Sequence, residues 1–341
     1  MNNLIKITFF VFLLSCGQDI TYENNIKEDL IFLADDKLEG RKTGTEGEKL
    51  AAKYISDRFE KLNLSDKGTE NYYQDFYFGN NNNPHEEIEF NKESDNSQIH
   101  ARNVVGFLDN GGSNTVVIGA HYDHLGYGEE SSLYFGDEVL IHNGADDNAS
   151  GTSLLLDLAN RLATKELKSN YLFIAFSGEE MGLLGSNYFL KNPTVSKDEI
   201  NYMINMDMVG RLNEENKLSV SGVGSAKIFK QIVNSNNSNF NLVEFGSSST
   251  SSFGSSDHAS FYYEDIPVLS FFTGQHEDYH KPSDDYDKIN FEGIELISDY
   301  IEDIIEELDS MDKLEFIKAE ETKNATPRFK AGLGVMPDYL Y

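Results

Sequence analysis

Cysteine is nearly absent from this chain of 341 residues: Cys16 stands alone, so no disulfide can form within the molecule. Basic residues are also scarce. Against 28 Lys and Arg stand 58 Asp and Glu, a formal net charge of -30 at pH 7. That balance argues against nucleic acid or anionic lipid as a partner and suits a soluble protein that meets cations. The chain shows no internal repeat. The apolar run within "MNNLIKITFFVFLLS", residues 1–15, covers about ten residues, too short to cross a bilayer. What is present is ordinary for a globular protein, 39% hydrophobic and 12% aromatic residues. This excludes wholesale disorder and allows one large core, or one core with a small appendage.

One Lys followed by that apolar run has the form of a signal peptide, so residues 1–15 read as an export signal that is removed. The string that follows, "LLSCGQD", resembles the lipobox of bacterial lipoproteins. The resemblance implies that Cys16 becomes the lipidated first residue, that 16–24 form a tether, and that the lipid is the only contact with a membrane. The protein would then sit in the bacterial cell envelope, in the periplasm or at the outer membrane.

"EGEKLAAKYISDRFEKL", residues 46–62, sets Leu50, Ala51, Tyr54, Ile55, Phe59 and Leu62 at helical spacing and predicts an amphipathic helix. Residues 78–100, rich in Asn and charge, read as a surface excursion in which His85 and His100 are solvated. Short apolar runs then alternate with helical patterns. "NVVGFL" (103–108), "TVVIGA" (115–120), "YLFIAF" (171–176) and "YMINM" (202–206) predict strands, with a helix over 151–163 between the second and third. "KLSVSG" (217–222) and "IPVLSFF" (266–272) predict two more strands, and Ile294, Ile297, Ile301, Ile304, Ile305 and Leu308 line one face of a helix over 291–309. Such alternation indicates an α/β domain on a mixed, mostly parallel central sheet with helices on both faces.

In open α/β sheets ligands bind beyond the carboxyl ends of the strands, so the residues after each apolar run carry the information. "TVVIGA" runs into "HYDH" (121–124), "YLFIAF" into "SGEE" (177–180), and "YMINM" into Asp207. "GADDNASG" (144–151) precedes the helix over 151–163, and "DYHKPSDD" (278–285) follows the last predicted strand. Each string has an ordinary reading of its own: helix caps for Asp146 and Asp147, rim histidines for His121 and His124, a helix N-terminal charge pair for Glu179 and Glu180. Together they crowd carboxylates at one rim, where they repel and resist ionisation unless a positive charge sits among them. Imidazole plus carboxylate without thiolate favours zinc, with manganese or cobalt possible. At least five candidate ligands exceed what one zinc takes, which points to two metals bridged by a carboxylate about 3.5–4 Å apart.

The strings "GAHYDHLG", "GADDNASG", "FSGEEMGLLGS", "INMDMVGR", "SSDHASF" and "DYHKPSDD" resemble, in order and spacing, those of the di-zinc exopeptidases. That family includes aminopeptidase Y and the secreted bacterial leucyl aminopeptidases, with glutamate carboxypeptidase more distant. The resemblance covers residues 25–312 and implies the zinc-dependent exopeptidase fold, a peptide substrate and two zinc ions. It implies His121, Asp147 and Asp207 as ligands of one metal and Asp147, Glu180 and His280 as ligands of the other, with Asp147 as the bridge. Asp146 would support its loop by hydrogen bonding, and a cis peptide would follow Asp147. Asp123 matches the carboxylate that orients the ligand imidazole, and Glu179 matches the general base. His124 and His142 match no ligand position and read as rim or loop histidines. Asp257 and His258 match a stretch that shapes the pocket wall.

One departure stands out. Where the secreted leucyl aminopeptidases carry a Tyr shortly before Ser-Asp-His, the nearest aromatic here is Phe253, which lacks the hydroxyl donor. Residues 313–341 fall outside the catalytic match; "RFKAGLGVMPDYLY" resembles the entry to a PDZ-like domain, so the segment is either the start of a truncated domain or an extra strand on the catalytic one. The implied activity is release of N-terminal amino acids. The alternatives are a carboxypeptidase or dipeptidase, for which Arg211 is the candidate carboxylate binder, and a glutaminyl cyclase, which needs one zinc. A receptor-like form that has lost its ligands would lack acids or histidines that this chain keeps.

Overall fold

A computed structural model describes residues 22–79, 88–91, 98–245 and 256–318. Residues 1–15, read as an export signal, together with Cys16, His85, Phe253 and residues 319–341, lie outside the described residues. Among the described residues ten strands form one sheet: β1 Ser65–Asp66, β2 Tyr73–Gly79, β3 Phe90–Asn91, β4 Gln98–Leu108, β5 Thr115–His121, β6 Asn170–Phe176, β7 Ile200–Met206, β8 Lys217–Ser221, β9 Asn241–Phe245 and β10 Val268–Phe272. Their order is β3-β2-β4-β6-β5-β7-β10-β8-β9, with β1 added to β4. The four central strands β6, β5, β7 and β10 run parallel to one another, and antiparallel pairings of β4 on β6 and β8 on β10 close the parallel block. The mixed sheet read from the sequence is therefore present, its parallel part confined to the middle and to the β8–β9 pair.

Central strands covered on both faces need apolar side chains in both directions, which is why β5, β6 and β7 are buried throughout. Tyr171, Phe173 and Ala175 of β6 enter the larger core, whereas Leu172, Ile174 and Phe176 enter a second core on the opposite face. The helices are α1 Ile26–Leu33, α2 Glu46–Lys61, α3 Gly151–Ala163, α4 Leu184–Lys191, α5 Phe229–Ser235, α6 His258–Tyr263 and α7 Phe291–Asp309. The larger core gathers α1, α2, α3, α5 and α7; α4 and α6 cover the other face. Helix α3 is enclosed between β5, α1 and α7, so Leu154, Leu155, Leu156 and Leu158 are all buried.

Helix α2 begins where the sequence places it, because Thr45 caps it by accepting from the Glu48 N–H. Ala51, Ile55, Phe59 and Leu62 are buried as their spacing requires, but Leu50 is exposed, just outside the buried stripe. The excursion over 78–100 is narrower than the composition suggests: Phe78 is buried in β2, and β4 already starts at Gln98. His100 is not simply solvated. It stacks on Tyr77 and its Nε2 lies 3.0 Å from Asp75 Oδ1. Residues 22–24, read from the sequence as the end of a tether, are exposed, although Tyr22 donates to Asp157 on α3. Beyond α7 the chain bridges Ala226 with Phe316, and the Ile317 N–H donates to the Ser225 carbonyl.

Candidate metal centre

Parallel strands all end at the same rim, and three of the four central ones deliver a candidate ligand there. β5 ends in His121, β6 is followed by Ser177–Glu180, and β7 is followed by Asp207. The loop after β10 brings His280, and the turn that opens α3 brings Asp147. The acid pair does not cap α3; Asn148 accepts from the Gly151 N–H instead. Asp146 turns away from the centre, accepting from the Gly210 N–H at 2.6 Å and facing His276 Nε2 at 3.1 Å, which is the loop-supporting role implied for it. The Asp147–Asn148 peptide is cis. Asp284 Oδ2 accepts the N–H groups of both Asp146 and Asp147, fixing the turn from the far side.

Asp147 then points one oxygen at each of two imidazoles. Its Oδ1 lies 3.4 Å from His121 Nε2 and its Oδ2 lies 3.2 Å from His280 Nε2. Around the first imidazole, Asp207 Oδ1 lies 3.4 Å away; around the second, Glu180 Oε2 lies 3.3 Å away. The two halves are His121, Asp147, Asp207 and Asp147, Glu180, His280, sharing Asp147. Each imidazole is aimed by its other nitrogen. His121 Nδ1 lies 3.2 Å from the main-chain carbonyl of Asp123, and His280 Nδ1 lies 2.8 Å from that of Ser131, so both Nε2 atoms are left to the centre. His280 itself has positive φ, held there by the Leu133 N–H on its carbonyl.

The Asp123 carboxylate behaves differently from the resemblance. Its Oδ1 is 3.7 Å from His121 Nδ1, too far for a hydrogen bond. Instead it accepts from the Glu179 N–H at 3.1 Å and from the Thr43 hydroxyl at 3.0 Å, so it holds the loop that carries Glu179. Glu179 reaches the centre with Oε2 4.0 Å from His121 Nε2 and stays outside the two clusters whose donor atoms converge, His121 with Asp147 and Asp207, and His124 with Asp147 and Glu180.

Electrostatics describe the same demand. Burial pushes the Glu179 carboxyl well above its usual range; His121 opposes this, while Asp207, Glu180 and Asp257 add to it. Burial alone would lower His280, yet Asp147 and Glu180 raise it to about 11. His121 is likewise held well above its usual value, against burial, by Glu179 and Asp207. The site draws protons onto its imidazoles because its carboxylates need positive charge nearby. Dications would meet that need, and neutral imidazole with carboxylate oxygen is a donor set that zinc accepts. The residues present therefore fit such ions.

Residues 103–305 match peptidase family M28. The chain belongs to that family. It is similar to aminopeptidase YwaD of Bacillus subtilis (strain 168), with 32% identity over 175 residues, 48% of this chain. The match covers 38% of that relative's own length. Among solved structures it resembles a zinc aminopeptidase from Bacillus subtilis, with TM-score 0.63 and 16% identity, over 89% of this chain and 100% of that one. It resembles equally a glutaminyl cyclase from Bacteroides thetaiotaomicron, with TM-score 0.63 and 16% identity, over 84% of this chain and 99% of that one. At such identities these neighbours establish the fold, the zinc exopeptidase architecture.

One residue of the site leaves no signal in the sequence, and another reads there only as a rim histidine. Arg41 is fully buried and gives its guanidinium to main-chain carbonyls: Tyr122 at 2.8 Å, Asn143 at 2.7 Å, Gly144 at 3.0 Å, and Leu33. His124, read as a rim histidine, is buried against Glu180, with Nδ1 2.8 Å from Oε1. His142 is the loop histidine expected, its Nε2 2.7 Å from the Ser132 hydroxyl. Arg211 is an ion-pair partner, 2.9 Å from Asp278 and 3.5 Å from Asp284. Asp257 and His258 are buried at the start of α6; burial lifts the first to about 7 and lowers the second to about 4.

Proposed function

We propose that this chain is a zinc-dependent exopeptidase that hydrolyses peptide bonds and releases N-terminal amino acids. The observation that carries the reading is Asp147 with one oxygen toward His121 and the other toward His280, an arrangement suited to two cations and excessive for one. His121, Asp147 and Asp207 would hold the first ion and Asp147, Glu180 and His280 the second. When bound, such ions lower the pKa of water and draw charge from a carbonyl oxygen.

The protein's own part in the reaction is proton handling. Glu179, next to the ligands but not among them, takes a proton from the attacking water and returns it to the leaving amine as the C–N bond breaks. Its raised pKa suits a group that must hold the proton between those steps. Asp123 fixes the Glu179 main chain and Ser131 fixes His280, so donor and acceptor geometry is set before substrate arrives.

Amino-terminal specificity is supported by charge. Asp257, within electrostatic reach of Glu179 and Asp207 and assigned neither to a metal nor to the proton transfer, is the carboxyl group left to meet a substrate ammonium. The candidate for holding a substrate carboxylate, Arg211, is already paired with Asp278. The two-site geometry speaks against the cyclase, for which one zinc is enough. Export by residues 1–15 and lipidation at Cys16 belong to this reading and are tested by loss of labelled-lipid incorporation in Cys16→Ala. Among the described residues no helix is long and apolar enough to cross a membrane.

The deciding assay compares chromogenic amides of free-amine and amine-blocked amino acids, with and without chelator. Chelator-sensitive cleavage of the free-amine set alone is expected. Equal cleavage of blocked substrates, or activity indifferent to chelation, would remove the assignment.

A further inference from the structure

Three imidazoles, not two, converge on the acidic centre, and distance separates their roles. Zinc holds nitrogen and oxygen donors at about 2.0–2.2 Å, so adjacent donors of a tetrahedral ion stand about 3.3–3.5 Å apart. His121 Nε2 meets that spacing with Asp147 and Asp207, both at 3.4 Å. His280 Nε2 meets it with Asp147 and Glu180, at 3.2 and 3.3 Å. His124 does not. Its Nδ1 is 4.0 Å from Asp147 Oδ2 and 2.8 Å from Glu180 Oε1, the second value being a hydrogen bond rather than the edge of a coordination polyhedron. Glu180 is thereby divided, with Oε2 toward His280 and Oε1 toward His124.

We propose that His124 is a positioning residue for Glu180: its Nδ1–H holds Oε1 so that Oε2 alone faces the second metal, and it does not itself ligate. The surroundings fix the ring for that purpose. Gly144, at φ +53°, lies against it so closely that a Cβ there would come within 2.5 Å of the ring carbons Cγ and Cδ2. The His124 N–H donates to the Arg41 carbonyl at 3.3 Å, and Arg41 in turn donates to the Gly144 carbonyl, so one residue anchors both sides of the ring. Nε2 is buried and has no hydrogen-bond partner among the described residues, which leaves Nδ1 as the ring nitrogen with polar work. The histidine that ends "HYDH" and the glycine that opens "GADDNASG" form one device for orienting a carboxylate ligand.

The inference rests on the reading of Glu180 as a metal ligand, and the test keeps the two apart. Metal-stripped wild type, His124→Ala, His124→Asn and His124→Gln are titrated with Zn2+ by calorimetry and with Co2+ by absorption. An Asn amide can place its N–H near the position of Nδ1, whereas a Gln amide overshoots it. Wild type is expected to take two ions. His124→Ala and His124→Gln should keep the affinity of the first and weaken the second by about 10–100-fold, while His124→Asn recovers most of it. At saturating Co2+ all four spectra should coincide, because no ligand has been lost. An altered saturated spectrum in His124→Ala and His124→Gln would make His124 a ligand, and unchanged affinity in both would leave it without a role; either overturns the proposal. If wild type takes up no metal, the fault lies with the reading of Glu180. Should His124→Ala fail to fold, the Asn and Gln pair carries the comparison.

Discussion

Arg41 Nη2 donates to the main-chain carbonyl of Gly144 at 3.0 Å, from a position with no solvent exposure. The same guanidinium reaches Leu33 at the end of α1, Tyr122 just beyond β5, and Asn143 in the loop toward α3. A single cation thus ties the His121 loop to the Asp147 turn. Burial lowers its pKa to about 10, with Asp123, Asp147, Asp284 and Glu180 opposing the shift, so it stays charged at neutral pH.

Arg41→Met should therefore cost about 3–5 kcal/mol of unfolding free energy, since it leaves several buried carbonyls without donors. Arg41→Lys should recover only part, because an ammonium cannot span the same four acceptors. Urea denaturation of the two variants checks this. A loss under about 1 kcal/mol for Arg41→Met would show that the carbonyls find other partners.

Glu179→Gln should retain the metal content of wild type and lose about 10²–10⁴-fold in kcat, the usual contribution of a positioned general base. Metal analysis beside steady-state kinetics separates this from ligand loss. Activity within a few-fold of wild type would assign the proton transfer elsewhere.

Glu48 gives a pH dependence that is independent of substrate. It is buried, with Oε2 accepting from the Gly44 N–H and Oε1 beside the hydroxyls of Ser177 and Tyr122. Burial pushes its carboxyl from 4.5 up to about 8, hydrogen bonds from Ser177 and Gly44 opposing. Between those two values the folded protein keeps a proton that the unfolded chain has released, so this group lowers stability as pH rises through that window. Glu48→Gln should be the more stable protein at pH 8, by on the order of 2–4 kcal/mol, and should differ little at pH 4. Chemical denaturation of both proteins at several pH values measures the difference; parallel curves would contradict the shift.

The sheet's centre was legible because strands buried on both faces leave continuous apolar runs, and "TVVIGA" and "YLFIAF" each extend by only one residue in β5 and β6. Helices α3 and α7 were legible from period and length, and both occupy the residues expected. Helix α1 was not, since eight residues carry too little periodicity and its burial comes from packing on α3 and α7. In the site, His121, Glu180 and Asp207 announce themselves by following strands. Arg41 leaves no such signal: its acceptors are main-chain carbonyls up to 103 residues away, and a carbonyl has no residue type. His124 matched no known ligand position, and its role depends on a distance of 2.8 Å that spacing along the chain cannot express.

On the proposed reading, the acidic rim holds two dications through the shared carboxylate of Asp147. Calorimetric titration of the metal-stripped chain with Zn2+ decides it, with Asp147→Asn measured alongside. The expected result is two equivalents bound by wild type and a loss of both high-affinity events in Asp147→Asn. Uptake of one ion or none by wild type, or two by Asp147→Asn, would contradict it.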